Sequence, residues 1–173
     1  MKKYLVLLVV LFFCNVALTQ ETILLKEFKI NGHISRGDSK SQVLSKLGVP
    51  TKETNDFNEM DETNVLILHY GDSKLYFENN MLSSFEIEDT SLHVSYLGNQ
   101  IKVGQGISSV SNIFPQSYSK RNEGSHGGGM RAVHLMLFGK LLGGTQEVKL
   151  DEFINIRYDP NTLLIVGISH SRY

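Results

Sequence analysis

Five consecutive residues, Ser125-His126-Gly127-Gly128-Gly129, are the stretch of this 173-residue chain that most resembles a reaction site. Successive glycines present backbone N–H groups that can hold an oxyanion, and a histidine beside a serine can serve as its general base. The other parts of such a site are missing. No Gly-x-Ser-x-Gly turn sets a serine at a strand-to-helix junction, and the flanking order is not an alternating βα sheet. The run therefore reads as a loop used for recognition. A small hydrolase built on His126, with Ser125 or Ser169 as nucleophile, is the competing reading.

Long cations flank this loop. Lys120 and Arg121 precede it and Arg131 follows it, and extended donors beside a glycine-rich segment suit an acidic partner surface. The candidate binding set is therefore Lys120, Arg121, His126, Gly127, Gly128, Gly129 and Arg131, with no catalytic residue assigned. Ordinary solvated charge is the alternative.

Metal and cofactor chemistry have less support. His33, His69, His93, His126, His134 and His170 include no His-x-x-x-His pair and no carboxylate at ligand spacing. His134 alternates with Ala132, Met136 and Phe138, which predicts a partly buried strand residue. Asp56, Glu59, Asp61 and Glu62 lack the ordered carboxylates and glycine of a calcium loop and read as a solvated acidic loop. Gly104-Gln105-Gly106 opens like a dinucleotide fingerprint, but Ser109 fills the third glycine position and no βαβ unit surrounds it. Neither a metal nor a cofactor is expected.

Stepping from chemistry to compartment, Lys2 and Lys3 precede an apolar run from Tyr4 to Phe13, the pattern of a secretory signal peptide cleaved near Ala17 to Gln20. The run is shorter than the roughly 20 residues of a membrane span. A lipoprotein signal acylated at Cys14 is the alternative, although Phe12 and Phe13 stand where small residues are usual. Cys14 is the one cysteine, so a cleaved chain has neither disulfide nor thiolate. Without Lys2 and Lys3 the 17 basic residues fall to 15 against 18 acidic ones, a net charge of −3 with His neutral. That balance argues against an electrostatic nucleic-acid binder.

The elements that must position these groups begin with an alternating strand, Ile23 to Ile30. A short helix follows, with a capping box at Ser39 to Gln42, an apolar stripe of Val43, Leu44 and Leu47, and the stop signal Gly48-Val49-Pro50. Thr51 to Thr63 reads as an exposed loop or ragged strand end. Val65–Tyr70, Lys74–Glu78 and Met81–Glu88 form an antiparallel meander through Gly71-Asp72 and Asn79-Asn80, with Met81, Phe85 and Ile87 on one face. Leu92–Leu97 is a further strand. A second helical segment ends at Pro115, and Arg131–Phe138, Phe153–Tyr158 and Leu163–Ser169 complete the strands.

The chain also repeats itself. Ile34, Gly37, Ser41, Val43 and Leu47 recur as Ile101, Gly104, Ser108, Val110 and Phe114 at an offset of 67. Leu75, Phe77, Glu78, Asn80 and Leu82 recur as Ile156, Tyr158, Asp159, Asn161 and Leu163 at an offset of 81, so 14 residues enter the second copy, some of them in Ser119 to Gly129. The predicted fold is α+β: two tandem units, each a short helix packed on an antiparallel β-meander, sharing one sheet and core. Residues 1–20 are the signal, 21–97 the first unit, and 98–173 the second, with its Gly-rich insertion at about 119–129.

The run Gly37 to Pro50, followed by Tyr70, Leu75-Tyr76-Phe77 and the turn before Leu82, resembles the superfamily of the BamE/SmpA/OmlA outer-membrane assembly lipoproteins and the beta-lactamase inhibitory protein. That resemblance implies a short helix against a small antiparallel sheet, in tandem as in the inhibitory protein. It maps no partner-contacting residue onto this chain, and Cys14 is a poor match to the lipidated cysteine of the assembly lipoproteins. Each matched residue has a structural task, so the likeness speaks to fold more than to function. The resulting expectation is an exported, non-catalytic protein-binding module of the bacterial envelope, periplasmic or secreted, of assembly or inhibitor type. An immunity protein or inhibitor of a secreted hydrolase is the alternative, and an outer-membrane lipoprotein the less favoured location. The expected partner is another envelope or secreted protein, with no nucleic acid, and with peripheral membrane association only through a lipidated Cys14.

Overall fold

A computed structural model describes residues 21–59, 62–121, 129–140 and 146–172. The predicted signal segment and Cys14 lie outside them. The strands are β1 (Ile23–Leu24), β2 (Phe28–Ile30), β3 (Lys52–Asn58), β4 (Thr63–Tyr70), β5 (Ser73–Glu78), β6 (Met81–Ile87), β7 (Val94–Tyr96), β8 (Asn99–Ile101), β9 (Arg131–Lys140), β10 (Glu147–Tyr158) and β11 (Ile165–Arg172). Among the described residues, two α-helices, α1 (Lys40–Leu47) and α2 (Pro115–Ser119), and 3-10 turns at Leu25–Glu27 and Ile107–Asn112 complete the order.

The α+β reading of two helix-on-meander units is overturned. The molecule is mainly β: one eight-stranded sheet, β1-β9-β10-β11-β6-β5-β4-β3, runs through it beside a three-stranded sheet, β2-β7-β8. Pairing is antiparallel except for β1 with β9, which makes the large sheet mixed. The longest described helix has eight residues, too few to stand without tertiary support. The second helical segment lacks the first one's cap: Gly106 makes no side-chain cap bond, and the Ser109 N–H donates to the Gly106 carbonyl at 3.1 Å in the pattern of a 3-10 turn. Pro115 then opens α2 rather than ending the segment, as its fixed φ allows.

Other boundaries moved for local reasons. Ile23–Ile30 is interrupted by the 3-10 turn, so its two ends join different sheets. Within Thr51–Thr63, Lys52–Asn58 is neither loop nor ragged end but β3, an edge strand whose charged residues suit a free edge. Met81 is 45% exposed, whereas Leu82 is buried, because a bulge opposite Tyr76/Phe77 shifts the alternation of β6.

α1 forms as its sequence dictates. Ser39 N–H donates to Gln42 Oε1 at 2.7 Å while Gln42 N–H donates to Ser39 Oγ at 3.3 Å, and Val43 is fully buried. The helix entry is clipped to the β5–β6 hairpin by Gly37 N–H to the Leu82 carbonyl at 2.8 Å and Leu82 N–H to Asp38 at 2.9 Å. A comparable clip joins the second segment to the β10–β11 hairpin, where Gly104 donates to Ile165 and Ile107 to Leu163, each at 2.8 Å. Ser39→Ala is expected to cost about 1 kcal/mol, read by urea unfolding; Ser45→Ala, on the exposed side of the helix, should change stability by no more than about 0.5 kcal/mol. Equal effects would remove the capping account.

The core is continuous. Leu68, Leu75, Phe77, Ile87, Ile154, Ile156, Val133 and Leu135 of the large sheet pack with Ile30 and Val94 of the small one, with Val43 of α1, and with Val110 and Phe114 beyond it.

Candidate functional site

Strand pairing carries one row of side chains across the large sheet. Lys52 faces His69, His69 faces Lys74, Lys74 faces Glu86, Glu86 faces Ser169, Ser169 faces Asn155, and Asn155 faces His134. Side chains alternate along a strand, so the whole row points away from the core. The adjacent row, Leu68, Leu75, Phe85, His170, Ile154 and Leu135, points inward and every member is buried. The inward row is thus apolar except for His170, and the outward row is polar from β3 to β9.

The outward groups hold one another. Tyr76 Oη donates to Glu86 Oε2 at 2.8 Å, and Lys74 Nζ lies 3.7 Å from that oxygen. Burial first, then the Glu86 carboxylate and the charges of Glu88 and Asp56, push the Tyr76 hydroxyl far above its ordinary value. It is therefore a hydrogen-bond donor and not a base. Arg157 donates Nη2 to Glu88 Oε1 at 2.6 Å. Its guanidinium lies where a Cβ on Gly167 would sit, so the glycine lets the arginine lie flat on the sheet. Thr54 Oγ1 and His69 Nε2 are 3.0 Å apart. Asn155 is 8% exposed, and its Oδ1 has no hydrogen-bond partner among the described residues.

A cavity of about 520 Å³ opens at one end of this face, lined by His69, Asp72, Lys74, Glu88, Arg157 and Met130, among others. Met130 directly follows Gly129. The downstream end of the Gly-rich insertion therefore meets the outward sheet face.

Of the described residues in the predicted binding set, Lys120, Arg121, Gly129 and Arg131, none is among those lining this cavity. Lys120 is exposed at the C-terminal end of α2. Arg121 lies over the Tyr118 ring at 4.1 Å and donates Nη1 to the Tyr118 carbonyl at 3.1 Å, so it serves its own helix. Gly129 has φ +77° and open space around it. Arg131 begins β9 opposite Tyr158 and is exposed. His126, Gly127 and Gly128 lie outside the described residues, as does Ser125. His134 is exposed rather than partly buried, because it points outward near Phe153, ring centroids 6.5 Å apart. Ser169 stands between Glu86 and Asn155 in the outward row.

A polar group that runs from the surface at Arg36 to buried His170 was not legible in the sequence. Glu152 Oε1 pairs with Arg36 Nη2 at 3.0 Å and Glu152 Oε2 lies 3.3 Å from His170 Nε2. The His170 side chain is 1% exposed, stacks on Phe85 and leaves Nδ1 without a partner among the described residues. These three residues are far apart in the chain, and β11 reads as an apolar strand, so no local pattern announces them. The outward set did leave a signal, the polar alternation Lys74-x-Tyr76-x-Glu78 opposite Leu75 and Phe77.

Among the described residues no three His, Asp or Glu side chains converge as metal ligands, and no described helix is long and apolar enough to cross a membrane. No family model, curated protein or solved structure matches the chain.

Proposed function

We propose that this chain is an exported, non-catalytic protein-binding module of the bacterial envelope, and that it binds another envelope or secreted protein through the outward face of the large sheet. The observation that carries this reading is the cavity shared by His69, Lys74 and Arg157 with Met130, which brings the sheet face and the insertion together. A protein contact needs about 800 Å² per partner, and a face crossed by a continuous polar row offers breadth of that kind. Its mixed charges, Lys74 and Arg157 beside Glu86 and Glu88, favour a partner selected by charge pattern over one selected by net charge. The assembly and inhibitor forms of the reading separate when the purified chain is assayed against secreted hydrolases.

The binding test is an affinity capture from envelope extract with the full chain. Lys74→Glu combined with Arg157→Glu is expected to reduce recovery of the captured partner about tenfold or more, since groups at a contact centre cost upwards of 1.4 kcal/mol. Deletion of 119–129 should act in the same direction. No specific partner, or a partner retained equally by the wild type and both variants, would sink the proposal.

A further inference from the structure

We infer that a second pocket, at the β1–β9 end of the large sheet, binds a small amphipathic carboxylate: a molecule with an apolar body and one anionic end. The pocket has a volume of about 390 Å³, within the roughly 300–1,000 Å³ common for small-molecule sites. Its walls are Leu24 and Leu25 from the N-terminal turn, Phe138 from β9 and Leu150 from β10.

An irregularity in the sheet builds it. Lys149 faces Phe138 and Phe153 faces Met136, so Leu150, Asp151 and Glu152 together stand opposite Leu137. Extra residues of this kind lift a strand from its ladder and re-aim its side chains. Here they turn Leu150 and Glu152 toward the pocket. Gly139 completes the arrangement, because a Cβ there would lie 3.0 Å from Leu150 Cδ1.

Charge selects the ligand. On the floor, Glu152 and Arg36 neutralise each other at 3.0 Å. At the mouth, exposed Lys26 and Lys140 outnumber Glu147, leaving an excess of positive charge above an apolar interior. An anionic end at the mouth and an apolar body within satisfy both. Behind the floor, Leu25 and Arg36 separate the pocket from a void of about 10 Å³ that His170 also lines, at the lower limit of room for one water. The apolar body therefore stops at Arg36 and does not reach the core.

Three probes with one tail and different heads test this on the full chain: decanoate, decanol and decyltrimethylammonium, titrated by calorimetry. Decanoate is expected to bind about tenfold more tightly than decyltrimethylammonium, with decanol between them. The double variant Lys26→Glu, Lys140→Glu, confined to exposed positions, should erase or reverse that order, and Leu150→Trp should block all three probes with the fold checked by circular dichroism. Should Leu150→Trp fail to fold, the lysine variant decides alone. No decanoate binding by the wild type, equal binding of the three heads, or an order unchanged in the lysine variant would overturn the inference.

Discussion

Replacing Phe114 by alanine is expected to remove about 3–5 kcal/mol of folding stability, the cost of truncating a buried aromatic. Phe114 is 1% exposed and closes a three-ring cluster. Its ring centroid lies 5.0 Å from Tyr96 and 6.1 Å from Phe28, and those two are 4.8 Å apart. The cluster joins the second helical segment to both β2 and β7, and Tyr96 Oη accepts from the Leu24 N–H at 3.4 Å. Deleting the ring leaves a cavity among elements that belong to different layers and have little other means of collapsing together. In a chain of this size the melting temperature should fall about 2–4 °C for each kcal/mol lost. Phe57→Ala is the comparison: Phe57 is 54% exposed on the edge strand, and its loss should cost no more than about 0.5 kcal/mol. Similar midpoints for the two variants in urea would contradict the packing described.

Gly71→Ala should be the most damaging of the glycine substitutions in turns, at about 2–4 kcal/mol. Gly71 has φ +64°, and the new Cβ would collide with the Asp89 carboxylate. That carboxylate accepts from Asp72 N–H at 2.6 Å, Ser73 Oγ at 3.1 Å and Ser91 N–H at 2.8 Å. It thereby locks the β4–β5 turn to the end of β6. Gly98→Ala supplies the control, with φ +83° but nothing within 4 Å of the added atom, so only the backbone strain of about 1–2 kcal/mol applies. A Gly71 variant no worse than the Gly98 variant would refute the clash.

The same anchor depends on pH. Burial raises the pKa of Asp89, but hydrogen bonds from Ser91, Asp72 and Ser73 outweigh it and hold the group below 3.8. A carboxylate with a depressed folded pKa stabilises the fold fully above its unfolded pKa. That contribution is lost as pH falls through the folded value. The effect is confined to acid below about pH 4, and Asp89→Asn should flatten it.

Sequence reading located what local rules govern. Ser39, Gln42 and Gly48 define α1 because caps act over a few residues, and Asn79-Asn80 defines a hairpin because both residues take positive φ. It went wrong where tertiary placement decides. β3 carries no apolar period because it is an edge strand, and the segment from Ile107, whose apolar spacing suggested an α-helix, has no side-chain cap and winds as a 3-10 turn. The repeat of Ile34–Leu47 at Ile101–Phe114 is real as a pattern, but it could not reveal that β strands would dominate or that a parallel pair would close one edge. For the site, Lys120, Arg121 and Arg131 were visible as a charge cluster around an insertion, but none of them is among the residues lining the cavity on the outward face. The Lys52-to-His134 row was not, since it exists only after seven strands are set in register.

The parallel pairing of β1 with β9 bears on the order in which the molecule can be made. Ile23 pairs with Leu137, and the Glu21 carboxylate accepts from Gln116 N–H at 2.6 Å and Ser117 Oγ at 2.7 Å, contacts spanning 95 and 96 residues. The β4–β5–β6 meander can close as soon as it is synthesised, because its partners are neighbours in sequence. The N-terminal segment cannot. Its partners come late, and non-local strand pairing is the slow class of folding event, on the order of milliseconds to seconds. Until β9 arrives, Ile23 and Leu24 lack the strand they pair with. Folding of this chain therefore finishes at its beginning.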